Sequence, residues 1–347
     1  MPESCLGRKR VLIPSQPPTT NHQPPTTMKS PFNRRDFLKA SSLALPTVAL
    51  SQYGLGCNTP PPAEAWPGFK FAMCNECMMD LPWAEQCRIM SEAGYTGVEI
   101  AAFTLVQESV NELNAEDRRE LVRVMDANGL ECVGLHWLFT PPPEGLHFTT
   151  PDAELRQRTV GYLDDLIDFC ADLGGKVLIF GSPGQRSTTG GSTVDEAKQR
   201  LVEGLAQVGD HAQERGVKVL FETLDSGQTD VVNTMAESLD IVQRVAHPAI
   251  GTMFDYHNTL DETDSLEKLV RDYFPYIEHI QIQEIDGRHL GTGDARETFV
   301  DSFKALRELG YDKWISLEIF DFEPGGKVIA EESMEVLKAL EASTSAA

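Results

Sequence analysis

No apolar run in this chain approaches the roughly 18 to 20 residues that a helix needs to cross a bilayer, so no transmembrane span is expected. Basic residues are scarce: 30 Lys and Arg stand against 53 Asp and Glu, a formal net charge of −23. A surface that acidic repels phosphodiester backbones and anionic lipid, and nucleic acid is not an expected partner. The first 57 residues are the exception. Arg8, Lys9, Arg10, Lys29, Arg34, Arg35 and Lys39 face only Glu3 and Asp36 within residues 1–57, so the remaining chain is more acidic still. Cysteine is sparse as well. Cys74 and Cys77 have the spacing of a metal or redox pair, but no second pair follows at ligand spacing. Cys132 and Cys170 sit within apolar patterns and read as small core residues. A Gly-rich phosphate turn is also missing after the first strand pattern, which runs into Cys74-Asn75-Glu76-Cys77. That absence argues against a doubly wound dinucleotide-binding sheet.

The first 27 residues are rich in Pro and Thr and aperiodic, which predicts disorder. Met28 offers a second start, followed by Asn33-Arg34-Arg35-Asp36-Phe37-Leu38-Lys39 and a modest apolar run from Ala40 to Leu50. A twin arginine before such a run is similar to a Tat export signal; a short amphipathic terminal helix is the plainer reading. Gly54-Leu55-Gly56-Cys57 looks like a degraded lipobox and makes Cys57 a candidate lipid anchor. The expectation is an exported protein, periplasmic or lipid-anchored, with residues 1–57 as leader and 58–68 as a Pro-rich tether. The folded body is placed at residues 69–340, with 341–347 as a disordered tail.

An apolar fraction of 41 % supplies a sizeable core for that body. Eight short apolar runs read as strands: Phe69–Asn75, Gly97–Ile100, Leu130–Trp137, Val177–Phe180, Val217–Glu222, Ile250–Asp255, Ile277–Gln283 and Trp314–Ile319. Helical patterns lie between them, clearest in Leu155, Thr159, Tyr162, Leu163, Leu166, Ile167, Cys170 and Leu173, one stripe that stops at Gly174-Gly175. Others run over Glu116–Asn128, Thr193–Arg215, Ser265–Phe274 and Phe299–Leu309. Eight strand-helix units over this length predict an α/β fold, a single (β/α)8 TIM barrel.

Active sites of such barrels are built at the C-terminal ends of the strands. Those ends are acidic here. The first strand closes on Glu76, the second holds Glu99, the third His136, the fifth closes on Glu222, and the sixth on Asp255 with His257 after it. In the seventh, His279, Gln281 and Gln283 alternate with Ile280 and Ile282; in the eighth, Trp314, Ser316 and Glu318 alternate with Ile315, Leu317 and Ile319. Period-two alternation sends the aliphatic set to the helix layer and the polar set to the barrel axis. Carboxylates converging on one axis repel one another unless a cation neutralises them. Glu222, Asp255, Gln281 and Glu318 form a hard oxygen set suited to one divalent ion, Mn²⁺ or Mg²⁺ first, with Zn²⁺ and Co²⁺ as alternatives. His136 and Arg186 are candidates for substrate hydroxyls or a phosphate, and Glu76, Glu99 and Asn233 for further pocket contacts.

At these residues the chain resembles the xylose-isomerase-like barrel family of sugar phosphate isomerases and epimerases, which includes tagatose epimerase and hydroxypyruvate isomerase. The resemblance spans roughly 69–340. Its sharpest part runs from His279 through Gln281 to Arg288-His289 and on to Asp294, similar to the seventh-strand motif of hydroxypyruvate isomerases. That motif implies Gln281 as a metal ligand and Arg288 beside the substrate. Val219-Leu-Phe-Glu222, Phe254-Asp255 and Ser316-Leu-Glu318 look like the ligand segments of the fifth, sixth and eighth strands. The resemblance implies Glu222 and Glu318 as the acid/base pair. Many members carry a substrate-facing His three residues after the sixth-strand Asp, whereas His257 follows by two; Gly291-Thr-Gly293-Asp294 replaces a Glu-Pro stretch.

The activity implied is isomerisation or epimerisation of a sugar or keto-sugar, by proton abstraction beside a carbonyl and an enediolate held by the ion. Three alternatives stay open. A lyase or dehydratase would use the same intermediate. An apurinic endonuclease would carry a His-rich multi-zinc site on a basic face, neither of which is seen. An exported sugar-binding barrel would keep the metal site without turnover. Homo-oligomerisation is also open.

Overall fold

The computed structural model describes residues 66–345. The expected export signal, Cys57 and nearly all of the expected tether lie outside the described residues. Eight strands close a parallel barrel in chain order: β1 (Lys70–Cys74), β2 (Gly97–Ala101), β3 (Glu131–His136), β4 (Val177–Phe180), β5 (Lys218–Phe221), β6 (Ile250–Asp255), β7 (Ile277–Ile282) and β8 (Trp314–Leu317). The β1–β8 pairing, from Lys70 opposite Trp314 to Met73 opposite Leu317, seals the ring. Each strand is followed by a longer helix: α1 (Trp83–Ala93), α2 (Ala115–Ala127), α3 (Ala153–Asp172), α4 (Val194–Arg215), α5 (Met235–Val245), α6 (Leu266–Tyr273), α7 (Val300–Glu308) and α8 (Gly326–Ser343). None of these helices is long and apolar enough to cross a membrane.

The helix boundaries follow from local chemistry. Asn114 and Thr193 begin α2 and α4 with reciprocal capping boxes, and Asp152 caps α3 by accepting from two backbone amides. Gly94 and Gly216 stop α1 and α4 in the left-handed conformation that only glycine adopts cheaply. Helix α8 runs past residue 340 to Ser343, so the expected disordered tail begins too early. Its buried face, including Ile329, Leu337 and Leu340, holds it on the barrel.

Inside the barrel, Ala72, Val133, Val177, Ile179, Leu220 and Met253 form an apolar plug, with Trp314 packed against it. Two residues further along β5 and β6 come Glu222 and Asp255, so the plug is the floor beneath the strand ends. One irregularity matters. The β2–β3 register shifts between Val98 and Glu99, which pair with Cys132 and Gly134, leaving Val133 as an extra residue. This bulge lets Val133 join the plug while His136, three residues on, still reaches Glu99 and Glu76 across the lumen. Simple alternation without the bulge would put His136 on one face with Cys132 and Gly134.

Gly134 stands where the bulged strand meets β4. A Cβ there would lie 1.9 Å from the Val177 carbonyl oxygen, which belongs to the adjacent strand and cannot swing away. Gly134→Ala should destabilise the fold by about 2–3 kcal/mol through this overpacking, read as a lowered denaturant midpoint at unchanged slope. A midpoint within error of wild type would show that β3 and β4 separate freely.

Candidate active site and metal centre

Four oxygen-bearing side chains end up together at the C-terminal mouth. Glu222 follows β5, Asp255 ends β6, Gln281 is the penultimate residue of β7, and Glu318 follows β8. All four are nearly or fully buried. One carboxylate oxygen each from Glu222, Asp255 and Glu318 lies within 4.8 Å of the other two, close enough for one ion to bridge. Gln281 joins them through an amide whose orientation is set from below. Its Nε2 donates to Glu99 Oε1 at 2.7 Å; the flipped amide would put oxygen against carboxylate. Gln281 Oε1 is thereby left buried and without a hydrogen-bond partner, as is Glu318 Oε2.

The electrostatics are those of an unneutralised anionic cluster. Burial pushes Glu222 up to about 7, with the buried Arg186 pulling the other way. Burial, and then the Glu222 charge, push Asp255 up to about 8. Glu318 is raised well above the carboxylate range by burial and by Glu222 and Asp255. Three buried carboxyls that cannot ionise together, plus two orphaned oxygens, fit a hard divalent cation. The donor set suits Mn²⁺ or Mg²⁺.

Several residues hold this cluster in place that the sequence reading had not assigned. Asn258 Nδ2 donates to both Glu222 Oε1 (2.8 Å) and Asp255 Oδ2 (2.5 Å). It occupies the position three residues after Asp255 where family members carry His, so counting from the strand end was the available signal. Trp137 donates its indole N–H to Glu318 Oε1 at 2.6 Å. Its ring stacks between Phe103 and Phe320, with centroids 5.8 and 6.0 Å away. Gly181 admits the Glu222 carboxylate against the backbone, since a Cβ there would lie 2.1 Å from Oε2. Trp137, Ser182 and Val232 all have positive φ (49°, 44° and 65°). Non-glycine residues there cost about 1–3 kcal/mol each and persist only where the surroundings impose them.

The other sequence candidates fall in different places. Arg186, offered to a substrate hydroxyl or phosphate, is instead fully buried. It donates to the backbone carbonyls of Glu222, Val232 and Phe180 and stacks on the Phe221 ring at 4.6 Å. Five donors in a rigid fork make Arg apt for gathering carbonyls around the end of β5; Arg186 is a clamp, and substrate does not reach it. Asn233 ties its own loop together, donating to Leu224 and Thr229 carbonyls. Arg288 is half-exposed and paired with Asp286 at 2.7 Å, outside the cleft lining. His257 places Nδ1 2.8 Å from the Ile285 carbonyl and its ring edge against Phe320 at 5.1 Å, beside the mouth. Glu76, His136 and Glu99 are fully buried under the ligand set, with His136 Nε2 2.8 Å from Glu76 Oε2. Burial alone would raise Glu99, but His279 and then His136 outweigh it and hold the carboxyl at about 2.

Over the ligands opens a cleft of about 210 Å³, lined by Trp137, Thr140, Gly181, Ser182, Pro183, Glu222, Leu224, Gln228, Glu318 and Phe320. Among the described residues, Glu222 and Glu318 are its only ionisable walls. Trp137 and Phe320 offer flat apolar faces suited to the C–H face of a small polyol, and Ser182, Thr140 and Gln228 offer hydrogen bonds.

Comparison with known proteins agrees with this geometry. A probable ketose 3-epimerase of Synechocystis sp. is 25 % identical over 233 residues, covering 66 % of this chain and 76 % of that one. A D-psicose 3-epimerase of Ruminiclostridium cellulolyticum is 24 % identical over 233 residues, covering 67 % and 76 %. Among solved structures, D-psicose 3-epimerase with D-tagatose from Clostridium cellulolyticum H10 shares the fold, with a TM-score of 0.66 at 20 % identity over 80 % of this chain and 99 % of that one. The sequence profile of the xylose isomerase-like TIM barrel family matches residues 87–340, and with the closed barrel and its acidic mouth the chain belongs to that family.

Proposed function

We propose that this protein is a divalent-metal-dependent epimerase of a ketose or keto-sugar, moving a proton at the carbon beside the carbonyl. The observation that carries the reading is the pair Glu222 and Glu318. They are the two ionisable walls of the cleft, and both belong to the carboxylate cluster that fits a cation. The ketose 3-epimerases among its relatives support the same reaction class. Epimerisation needs one group to take a proton and another to return it on the opposite face. A carboxyl that exchanges protons readily serves that step, and in the absence of an ion burial raises Glu222 above the ordinary carboxylate range.

When bound, the ion supplies Lewis-acid polarisation of the substrate carbonyl, which acidifies the neighbouring C–H. The chain does the rest. Asn258 and Gly181 fix the Glu222 carboxylate, and Trp137 fixes that of Glu318. Either can take the proton from carbon while the other, protonated, delivers one to the enediolate. Trp137 and Phe320 line the cleft with flat apolar faces on which the sugar's C–H face can rest. The export signal and the candidate anchor at Cys57 would place this chemistry outside the cytoplasm, where unphosphorylated sugars are the available substrates.

Glu222→Gln and Glu318→Gln should each lower kcat by about 10³-fold or more, with circular dichroism unchanged. The assay is interconversion of a ketose panel in deuterated water, with deuterium appearing on the carbon next to the carbonyl. Near-normal turnover by either variant would remove that residue from the mechanism, and release of water in place of exchange would mark a dehydratase. Gly181→Ala, which leaves every ionisable group in place, should cut kcat at least tenfold by displacing the Glu222 carboxylate, a loss of about 1.4 kcal/mol of transition-state binding. Unchanged kcat would show that the carboxylate has room elsewhere.

Metal removal has a pH signature. In the metal-free protein Glu222 and Asp255 bind protons more tightly folded than unfolded, at about 7 and about 8 against model values of 4.5 and 3.8. Between those limits the native state holds protons that the unfolded chain has released, so its stability falls as pH rises from about 5 to about 8. The Tm of chelator-treated protein should therefore drop across that window, and the gain in Tm on adding Mn²⁺ should grow. A metal-induced gain independent of pH would mean these carboxyls are not the ligands.

A further inference from the structure

The lumen of a parallel barrel is filled in layers, and branched aliphatics dominate them. Here the lumen beside and below the ligand set is polar. Cys74 at the end of β1, Glu99 in β2, His136 at the end of β3 and His279 in β7 converge on the axis, each at most 1 % exposed. His279 precedes Gln281 by two residues on the same strand, which places it one layer deeper. Buried polar atoms normally find partners. Four here have no hydrogen bond: His136 Nδ1, His279 Nε2, Glu99 Oε2 and Glu76 Oε1.

The geometry explains what they are aimed at. Cys74 Sγ, a Glu99 carboxylate oxygen and a His136 ring nitrogen all lie within 4.8 Å of one another. His136 Nε2 stands 2.8 Å from Glu76 Oε2, a contact that needs a ring proton on Nε2 and leaves Nδ1 turned to Glu99. Nδ1 is 3.5 Å from Glu99 Oε1, beyond the roughly 2.7–2.9 Å of a charge-assisted hydrogen bond. A positive charge between them, a second ring proton or a cation, is what makes that approach favourable. A carboxylate on the far nitrogen of a ligating His is also the usual outer partner in metal sites. On the opposite side, His279 Nε2 comes within 2.7 Å of Glu99 Oε2 without the alignment of a hydrogen bond.

We propose that Cys74, Glu99 and His136, with His279 beside them, hold a second divalent cation of zinc type, beside and below the all-oxygen ligand set. Thiolate, imidazole and carboxylate together select a borderline-soft ion, unlike the hard set above. Binding breaks the Cys74 Sγ–H bond and forms an Sγ–metal bond; the proton leaves to solvent and no electrons change hands. Because Glu99 also orients the Gln281 amide, the lower ion would steady the upper site. Ligands drawn from three strands are invisible to Cys–Cys spacing, and Cys77 takes no part.

The test uses whole protein stripped by chelator and titrated with Co²⁺. A tetrahedral thiolate site gives a sulfur-to-cobalt charge-transfer band in the near ultraviolet, which an all-oxygen site cannot give. Wild type should show that band and bind two equivalents of cobalt; Glu222→Gln should keep the band; Cys74→Ser and His136→Gln should lose the band and one equivalent. A band with a single equivalent would support the lower site and count against the upper one. Absence of the band in wild type, or its persistence in Cys74→Ser, would overturn the proposal, and the wild-type titration decides it even if a variant fails to fold.

Discussion

Mutual repulsion among buried carboxylates at the mouth of the barrel is the constraint that organises this molecule. Glu222, Asp255 and Glu318 are brought within one ion's reach by strands whose alternation is dictated by aliphatic residues facing the helices. Without a counter-charge, that arrangement opposes folding, since each carboxyl must either give up its charge or sit beside another. The surrounding structure therefore has two tasks: to hold the anions together and to supply partial positive charge to them. Asn258 does both for Glu222 and Asp255, and the Trp137 indole does so for Glu318.

Holding those donors in place takes strained backbone. Trp137 and Ser182 adopt positive φ in the cleft wall. Val232, a β-branched residue for which that region is costlier still, does so where its carbonyl accepts from Arg186. The aromatic cluster of Phe139, Phe148, Phe180 and Phe221, packed edge-on or tilted at 4.9–5.8 Å, gives the β4–β5 side of the mouth a rigid base. Burying Arg186 on that base lowers its affinity for its proton to about 9, burial being the cause and Glu222 the partial compensation. A cation so placed is worth keeping only if the carbonyls it gathers must stay gathered.

The strands and the convergence of Glu222, Asp255 and Glu318 were legible because both rest on short-range periodicity. Alternation of Ile315, Leu317 and Ile319 against Ser316 and Glu318 leaves one choice of inward face, and the same holds for β7. Periodicity failed at the bulge, where one extra residue moves Val133 and His136 onto the same side. It also failed for residues whose role depends on conformation: nothing in the letters around Trp137 announces a left-handed backbone, and Gly181 matters only because Glu222 lies against it. Arg186, charged and in a Gly- and Pro-rich stretch, reads as solvated; only the three-dimensional path of the Val232 loop buries it. Asn258 was the exception, recoverable by counting from Asp255.

The polar layer beneath the mouth changes how the barrel's stability and its chemistry relate. An aliphatic layer there would stabilise the fold without reference to the site above it. Instead, Glu99 touches β1, β3 and β7 partners at once, through Cys74, His136, His279 and Gln281. Any substitution in that layer moves the amide that must present its oxygen upward, because Gln281 has no other anchor for its Nε2. Selection on the upper site therefore acts on residues that never meet substrate. In physical terms the catalytic mouth and the core are one network, with Glu99 as the atom pair through which each constrains the other.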